Sequence, residues 1–184
     1  MLKNLSGYMD EATGLANARY FNEILDIEWR RALVTKQSVA ILLVGIDNFE
    51  PLNQAFGPRS GDKYLKRVAT ALTKAVPRPN DEIARYSSDK FAIMLPGTHN
   101  TNTVAERCRV AIEALGIGHP ERLTGVLTVS IGASMATPTV GLYPHAIVKA
   151  AYQALHRAKQ FGGNKVMENQ CRHTKAPRVS PDRG

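Results

Sequence analysis

Residues 38–49, SVAILLVGIDNF, form an unbroken apolar run with β-branched side chains. Such a run marks a central strand, and a strand of this kind needs cover on both faces. Amphipathic helices elsewhere in the chain can supply it. In ARYFNEILDIEWRRALVT (18–35) Phe21, Ile24, Leu25 and Ala32 recur at helical spacing, and Leu65, Val68, Ala69 and Leu72 do so in SGDKYLKRVATALTKAV (60–76). A short helical turn, PLNQAF, sits between the strand and Gly57-Pro58.

Residues 82–96, EIARYSSDKFAIMLP, read as two short apolar strands, near 82–87 and 91–95, joined by a polar turn. Beyond the Pro96-Gly97 break, TNTVAERCRVAIEALGI (101–117) returns to helical periodicity. GVLTVSIGASMA (125–136) alternates as a strand, PHAIVKAAYQALHRAKQF (144–161) is a helix with Pro144 near its start, and GGNKVME (162–168) is a short final strand. The order α-β-α-α-β-β-α-β-α-β, with a hairpin in its middle, predicts an α+β fold. Its centre is a mostly antiparallel sheet of about five strands covered by helices, not a doubly wound parallel sheet.

A chain of 184 residues is long enough for one sizeable core. The expected organisation is a linker over 1–9, one domain over 10–168 and a disordered basic tail over 169–184. No stretch reaches the roughly 20 apolar residues of a bilayer span, and MLKNLSGYMDEATG lacks the apolar centre of a signal peptide. A cytoplasmic location is therefore expected. The net charge of +8 suits an anionic partner such as a nucleotide or nucleic acid. Part of that charge lies in CRHTKAPRVSPDRG, which reads as a solvated tail or as a nucleic-acid arm. Without interleaved aromatic and basic residues, nucleic acid is not the expected partner. Cys108 and Cys171 have neither the number nor the spacing of a disulfide framework or zinc site, and Cys108 reads as a core thiol.

Over about residues 10–167 the chain resembles the GGDEF, or diguanylate cyclase, domains. The stretches that carry the resemblance are DEATGLANARYF, IDNFEPLNQAFGPRSGD, ARYSSDKFAIMLP, LTVSIGAS and AYQALHRAKQFGGNKV, in the family's order. The resemblance implies a nucleotidyl cyclase fold in which two facing domains each hold one GTP and join them into cyclic di-GMP. That reaction needs carboxylates that hold divalent ions against the phosphates.

The chain departs from the family where that chemistry sits. Ser87, Ser88, Asp89, Lys90 and Phe91 stand in place of Gly-Gly-Asp/Glu-Glu-Phe. Serine tolerates positive φ poorly, so strain is expected if the turn needs it. Asp89 keeps the position of a metal ligand, whereas Lys90 puts a cation beside it; alternatively, both are plain turn residues. Gly45 replaces the first aspartate of the family's Asp-x-Asp, leaving Asp47. Glu50 follows Phe49 where the family has lysine, and Gly162-Gly163-Asn164 replaces Gly-Arg-Asn. Lys159 remains as a phosphate contact, and Asn53 and Asp62 resemble the guanine-reading residues. Each of the latter also has a local explanation, a turn hydrogen bond for Asn53 and a favourable place in the first turn of a helix for Asp62. Asp89 and Lys159 are thus remnants of a catalytic site, with no metal expected unless residual GTP binding brings Mg²⁺.

Arg78-Pro79-Asn80-Asp81 lies upstream of Ser87 at the spacing of the family's inhibitory Arg-x-x-Asp motif, which binds cyclic di-GMP. An arginine fork can hold phosphate or the guanine O6/N7 edge, and a carboxylate can accept from guanine N1 and its amine. Pro79 biases Arg78 toward extended backbone. A simple loop ion pair is the alternative. Arg107, with Arg109 as its rival, resembles the family's additional inhibitory-site arginine.

The expected function is a catalytically inactive GGDEF domain that receives cyclic di-GMP through Arg78 and Asp81, with no resident cofactor. Alternatives are a protein-interaction module, a weak diguanylate cyclase and a GTP-binding regulatory domain. Expected partners are cyclic di-GMP, a protein or fused signalling module, and a second copy. No such module precedes the domain here, so the chain reads as a fragment or a stand-alone effector.

Overall fold

The computed structural model describes residues 7–122 and 125–171, so residues 1–6 of the expected linker and 172–184 of the expected tail lie outside it. The elements are β1 (Ala16–Asn17), α1 (Ala18–Thr35), β2 (Val39–Ile46), α2 (Phe49–Phe56), α3 (Pro58–Ala75), β3 (Glu82–Arg85), β4 (Lys90–Pro96), α4 (Thr101–Glu113), β5 (Val129–Ala136), α5 (Pro144–Gln160) and β6 (Val166–Glu168). They build one sheet in the order β1-β3-β4-β2-β5-β6. The three inner pairings, β3 with β4, β4 with β2 and β2 with β5, are antiparallel. The edge strands β1 and β6 run parallel to their neighbours. The α+β expectation stands, with six strands in place of about five.

The whole of β2 is buried, and its side chains alternate between two layers. Ala40, Leu42, Val44 and Ile46 share a cluster with Leu65, Val68 and Leu72 of α3 and Ala105, Cys108 and Ile112 of α4. Val39, Ile41 and Leu43 share the other with Phe21, Leu25 and Trp29 of α1 and Ile147, Ala151 and Leu155 of α5. The period of two along a strand produces this division, and a one-residue slip would exchange the two sets. The Trp29 indole donates to the Leu142 carbonyl at 3.1 Å, so the aromatic body fills the core while its one polar atom is satisfied. Burial pushes the Cys108 thiol up to about 12, the state of an inert core thiol.

Several boundaries differ from the sequence expectation, among them α2, which begins at Phe49 rather than 51, and α4, which ends at Glu113 rather than 117. Strand β1 is two residues long and contains no β-branched side chain; Asn17 ends it and also caps α1 by accepting from the Tyr20 amide at 3.0 Å. Helix α3 begins at Pro58 rather than 60, because Gly57 at φ 75° turns the chain and proline suits the first helical position. Asp62 therefore lies beyond the first turn, and the helix-dipole explanation for it weakens. The last two strands start late: β5 at 129 rather than 125, and β6 at 166 rather than 162.

Gly132 of β5 lies directly against the backbone of α5. An ideal Cβ there would lie 2.1 Å from the Ala151 carbonyl oxygen and 2.2 Å from the Leu155 amide nitrogen. Backbone cannot step aside as a side-chain end can. Gly132→Ala is expected to lower stability by about 3 kcal/mol or more, the upper end of overpacking costs. Urea unfolding followed by circular dichroism measures it; a loss within experimental error would mean that α5 can lift off β5 freely.

Candidate functional site

The hairpin between β3 and β4 is closed by backbone bonds from the amides of Tyr86 and Ser87 to the Lys90 carbonyl, at 2.8 and 3.1 Å. Ser87 and Ser88 are exposed. Among the described residues positive φ occurs outside glycine only at Lys36, Asn48 and Asn164. This turn does not need positive φ, so the serines carry no left-handed strain. Arg85 organises it instead. Its guanidinium lies 5.6 Å over the Phe91 ring and donates to the carbonyls of both Ser87 and Ser88. Nothing in the sequence singles out Arg85; its role follows from the pairing of Arg85 opposite Phe91.

The tip docks on the end of β2, where the Ile46 amide donates to the Asp89 carbonyl at 3.0 Å. Each oxygen of the Asp89 carboxylate faces an ammonium: Oδ1 accepts from Lys90 Nζ at 2.7 Å and Oδ2 lies 3.4 Å from Lys159 Nζ. Lys159, in the last turn of α5, also donates to the Ile46 carbonyl at 2.9 Å. Burial opposes the charged form of Asp89, but the hydrogen bond from Lys90 and the charges of both lysines together hold its carboxyl below the ordinary carboxylate value. Gly45 offers no ligand here. These residues do not fit a divalent ion, because Asp89 is already paired with two ammoniums and hard cations require several oxygen donors. Among the described residues no group of three or more His, Cys, Asp or Glu side chains could hold a metal.

Asp47 has a structural role. It is 2% exposed and accepts from Thr128 Oγ1, Ser130 Oγ and the Asn164 amide at 2.8, 2.7 and 2.8 Å. That last bond ties down the 162–164 loop. At Gly163, φ is 72° and a Cβ would sit 3.0 Å from the Asp47 carboxylate, so a larger residue there would strain this arrangement. Glu50 stays exposed on α2 with Gln54 as its partner. Asn53 rests its carboxamide against Gly61, since a Cβ at Gly61 would meet Asn53 Oδ1 at 2.7 Å. Asn53 is thereby brought to the segment that carries Asp62.

Arg78 and Asp81 form a bidentate pair at the approach to β3, Nε to Oδ2 at 2.9 Å and Nη2 to Oδ1 at 2.6 Å. Nη2 also reaches Thr98 Oγ1 at 2.5 Å. The Asp81 side chain is 3% exposed and that of Arg78 is 47% exposed, so the pair shows solvent the back of the guanidinium. Arg107 approaches the same end of the fold, donating from Nε to the Ala75 carbonyl at 2.6 Å, three residues before Arg78. It lines a groove between α3 and α4 with Lys66, Arg67 and Lys74. Arg109 points elsewhere, held by Glu106, Glu113 and Asn164 at 2.8, 2.9 and 2.7 Å. The structure thus separates the two arginines that the sequence leaves as rivals.

A six-stranded sheet in this order, with a hairpin tip and the end of α5 converging beside the central strand, is that of a nucleotidyl cyclase-like domain. The family model described as "Diguanylate cyclase, GGDEF domain" matches residues 7–165, and the chain belongs to that family. It is 32% identical over 168 residues to the probable diguanylate cyclase DgcT of Escherichia coli, covering 90% of this chain and 36% of that protein. It is 35% identical over 162 residues to the response regulator PleD of Caulobacter vibrioides, covering 86% and 35%. The chain thus spans about a third of the length of these relatives. The solved GGDEF domain of DgcB from Caulobacter crescentus, in complex with c-di-GMP, superposes with a TM-score of 0.80 at 27% identity over 88% of this chain and 93% of that one. Among the described residues no helix is long and apolar enough to cross a membrane.

The depressed Asp89 carboxyl has a consequence for stability. Its contribution is fully present above the ordinary carboxylate range, about pH 4, and is lost as pH falls through the lower folded-state value. The gap in urea stability between the parent and Asp89→Asn is expected to be widest near neutrality and to close in acid. A gap that stays constant from neutral pH to below about pH 3 would show that the lysines do not stabilise the charged form.

Proposed function

We propose that this domain no longer makes cyclic di-GMP and instead binds it, through Arg78 and Asp81, as a receptor in second-messenger signalling. The observation that carries the first half is the double pairing of Asp89. A carboxylate paired with both Lys90 and Lys159, beside Gly45, must give up these ammoniums before it can hold a metal against a polyphosphate. Loss of one such electrostatic group costs catalysis about two to three orders of magnitude, and here several are changed together.

The second half rests on geometry away from that tip. Asp81 fixes the guanidinium of Arg78, so the fork is oriented before any ligand arrives, and its exposed face is turned to solvent. Nε and both Nη2 hydrogens are taken by Asp81 and Thr98, so a guanine edge or a phosphate would meet Nη1 and the flat face of the guanidinium. Arg107 and the basic groove beside it favour an anion at the same end of the domain. The c-di-GMP complex of the DgcB domain supports the ligand class.

Calorimetry with cyclic di-GMP tests the receptor role. Arg78→Ala is expected to weaken binding by roughly 1.5–3 kcal/mol, the range for a hydrogen bond to a charged group. Arg78→Lys keeps a charge on Asp81 but loses the fork and should also bind worse. Lys159→Ala, on the other side of the hairpin, should leave the affinity unchanged. If the parent binds no cyclic di-GMP at tens of micromolar, the protein-interaction reading replaces this one. Catalytic silence is tested separately by incubation with GTP and Mg²⁺ or Mn²⁺, where cyclic di-GMP made at about 1 per second would overturn it.

A further inference from the structure

A cation already sits at the tip of the hairpin. Lys159 Nζ is 2.9 Å from the Ile46 carbonyl oxygen and 3.4 Å from Asp89 Oδ2, a backbone carbonyl and a carboxylate of the kind that ligate hard metal ions. The ammonium reaches them by crossing the bare backbone of Gly45. An ideal Cβ there would stand 2.9 Å from Lys159 Cε and 3.1 Å from its Nζ, so any side chain at this position would displace the lysine. Gly45 and Lys159 are thus complementary: one leaves the space and the other fills it. Lys90 on the opposite oxygen of Asp89, at 2.7 Å, leaves this carboxylate with two cations and the cluster with an excess positive charge that repels a further one.

We propose that the ammonium of Lys159 is a tethered replacement for a divalent ion, joining the end of β2, the hairpin tip and the last turn of α5, and keeping divalent metal out while it is in place. A metal would link these segments only at sufficient free-ion concentration. The lysine links them at every concentration, because it is covalently part of α5. The domain's tip should therefore be indifferent to chelators. This inference concerns the tip alone and stands whether or not cyclic di-GMP binds at Arg78.

Binding of Mn²⁺ to the full chain, followed by the loss of the free-ion signal in electron paramagnetic resonance, tests it. The parent and Lys159→Arg are expected to take up no stoichiometric Mn²⁺. Gly45→Asp combined with Lys159→Met should bind it, and roughly tenfold or more tightly than Gly45→Asp alone, because the two changes act on one position and couple. Stoichiometric Mn²⁺ on the parent, or equal affinity of the single and double variants, overturns the proposal. A measurement on the unaltered protein keeps it testable if the variants misfold. The side-chain ¹⁵N resonance of Lys159, assigned by its absence in Lys159→Arg or from through-bond spectra of the parent, should be slow to exchange and unmoved by Mg²⁺ or EDTA. A saturable shift with Mg²⁺ would mean that the metal displaces the ammonium.

Discussion

Burial of β2 on both faces fixes the position of everything at the tip. A strand packed between two helical layers cannot tilt or slide without opening both, so its last polar groups become fixed posts. The Ile46 carbonyl holds Lys159, the Ile46 amide holds the carbonyl of Asp89, and the Asp47 carboxylate holds Thr128, Ser130 and the 162–164 loop. A buried carboxylate survives only when its acceptor sites are used, and Asp47 has three donors for that purpose. The hairpin, α5 and the last loop meet because each is tied to the same short piece of backbone.

This arrangement separates groups that maintain the scaffold from groups that face an incoming ligand. Asp47 and Gly163 belong to the scaffold: their partners are internal and close-packed. Asp89, Lys90 and Lys159 form a compact charged unit with Gly45 leaving room for the Lys159 ammonium. Arg78 and Asp81 lie in a third place, on the approach to β3, with Thr98 as their outside support. Among the described residues the tip and the arginine fork thus share no hydrogen-bond partner.

Most of the fold is legible in the sequence because long helices and buried strands carry their own period. Helix α1 is read with its observed limits, and α5 differs by a single residue at its end. Short elements are not legible. Strand β1 has too few residues for a period, and it exists through pairing with β3, whose residues lie more than sixty positions away. At the site, Asp89 and Lys90 can be singled out by their place in the hairpin, but the contact of Lys159 with Ile46 joins residues 113 positions apart. Nothing local signals it. The same holds for Arg85, whose carbonyl partners are near in sequence but whose direction is set by the ring of Phe91 across the strand pair. Arg107 and Arg109 illustrate the limit well, since residues two apart on a helix point to different neighbours.

The edges of the sheet bear on how such a domain assembles. One edge is a strand of two residues and the other a strand of three. Neither presents a ladder of unpaired backbone groups long enough to recruit a strand from another molecule. Among the described residues β1 is further flanked by the Met9–Ala16 bridge, and helices and loops make up most of the surface that a neighbour could meet. Association through helices and loops depends on side chains and surface charge, which can be altered one residue at a time, rather than on backbone pairing.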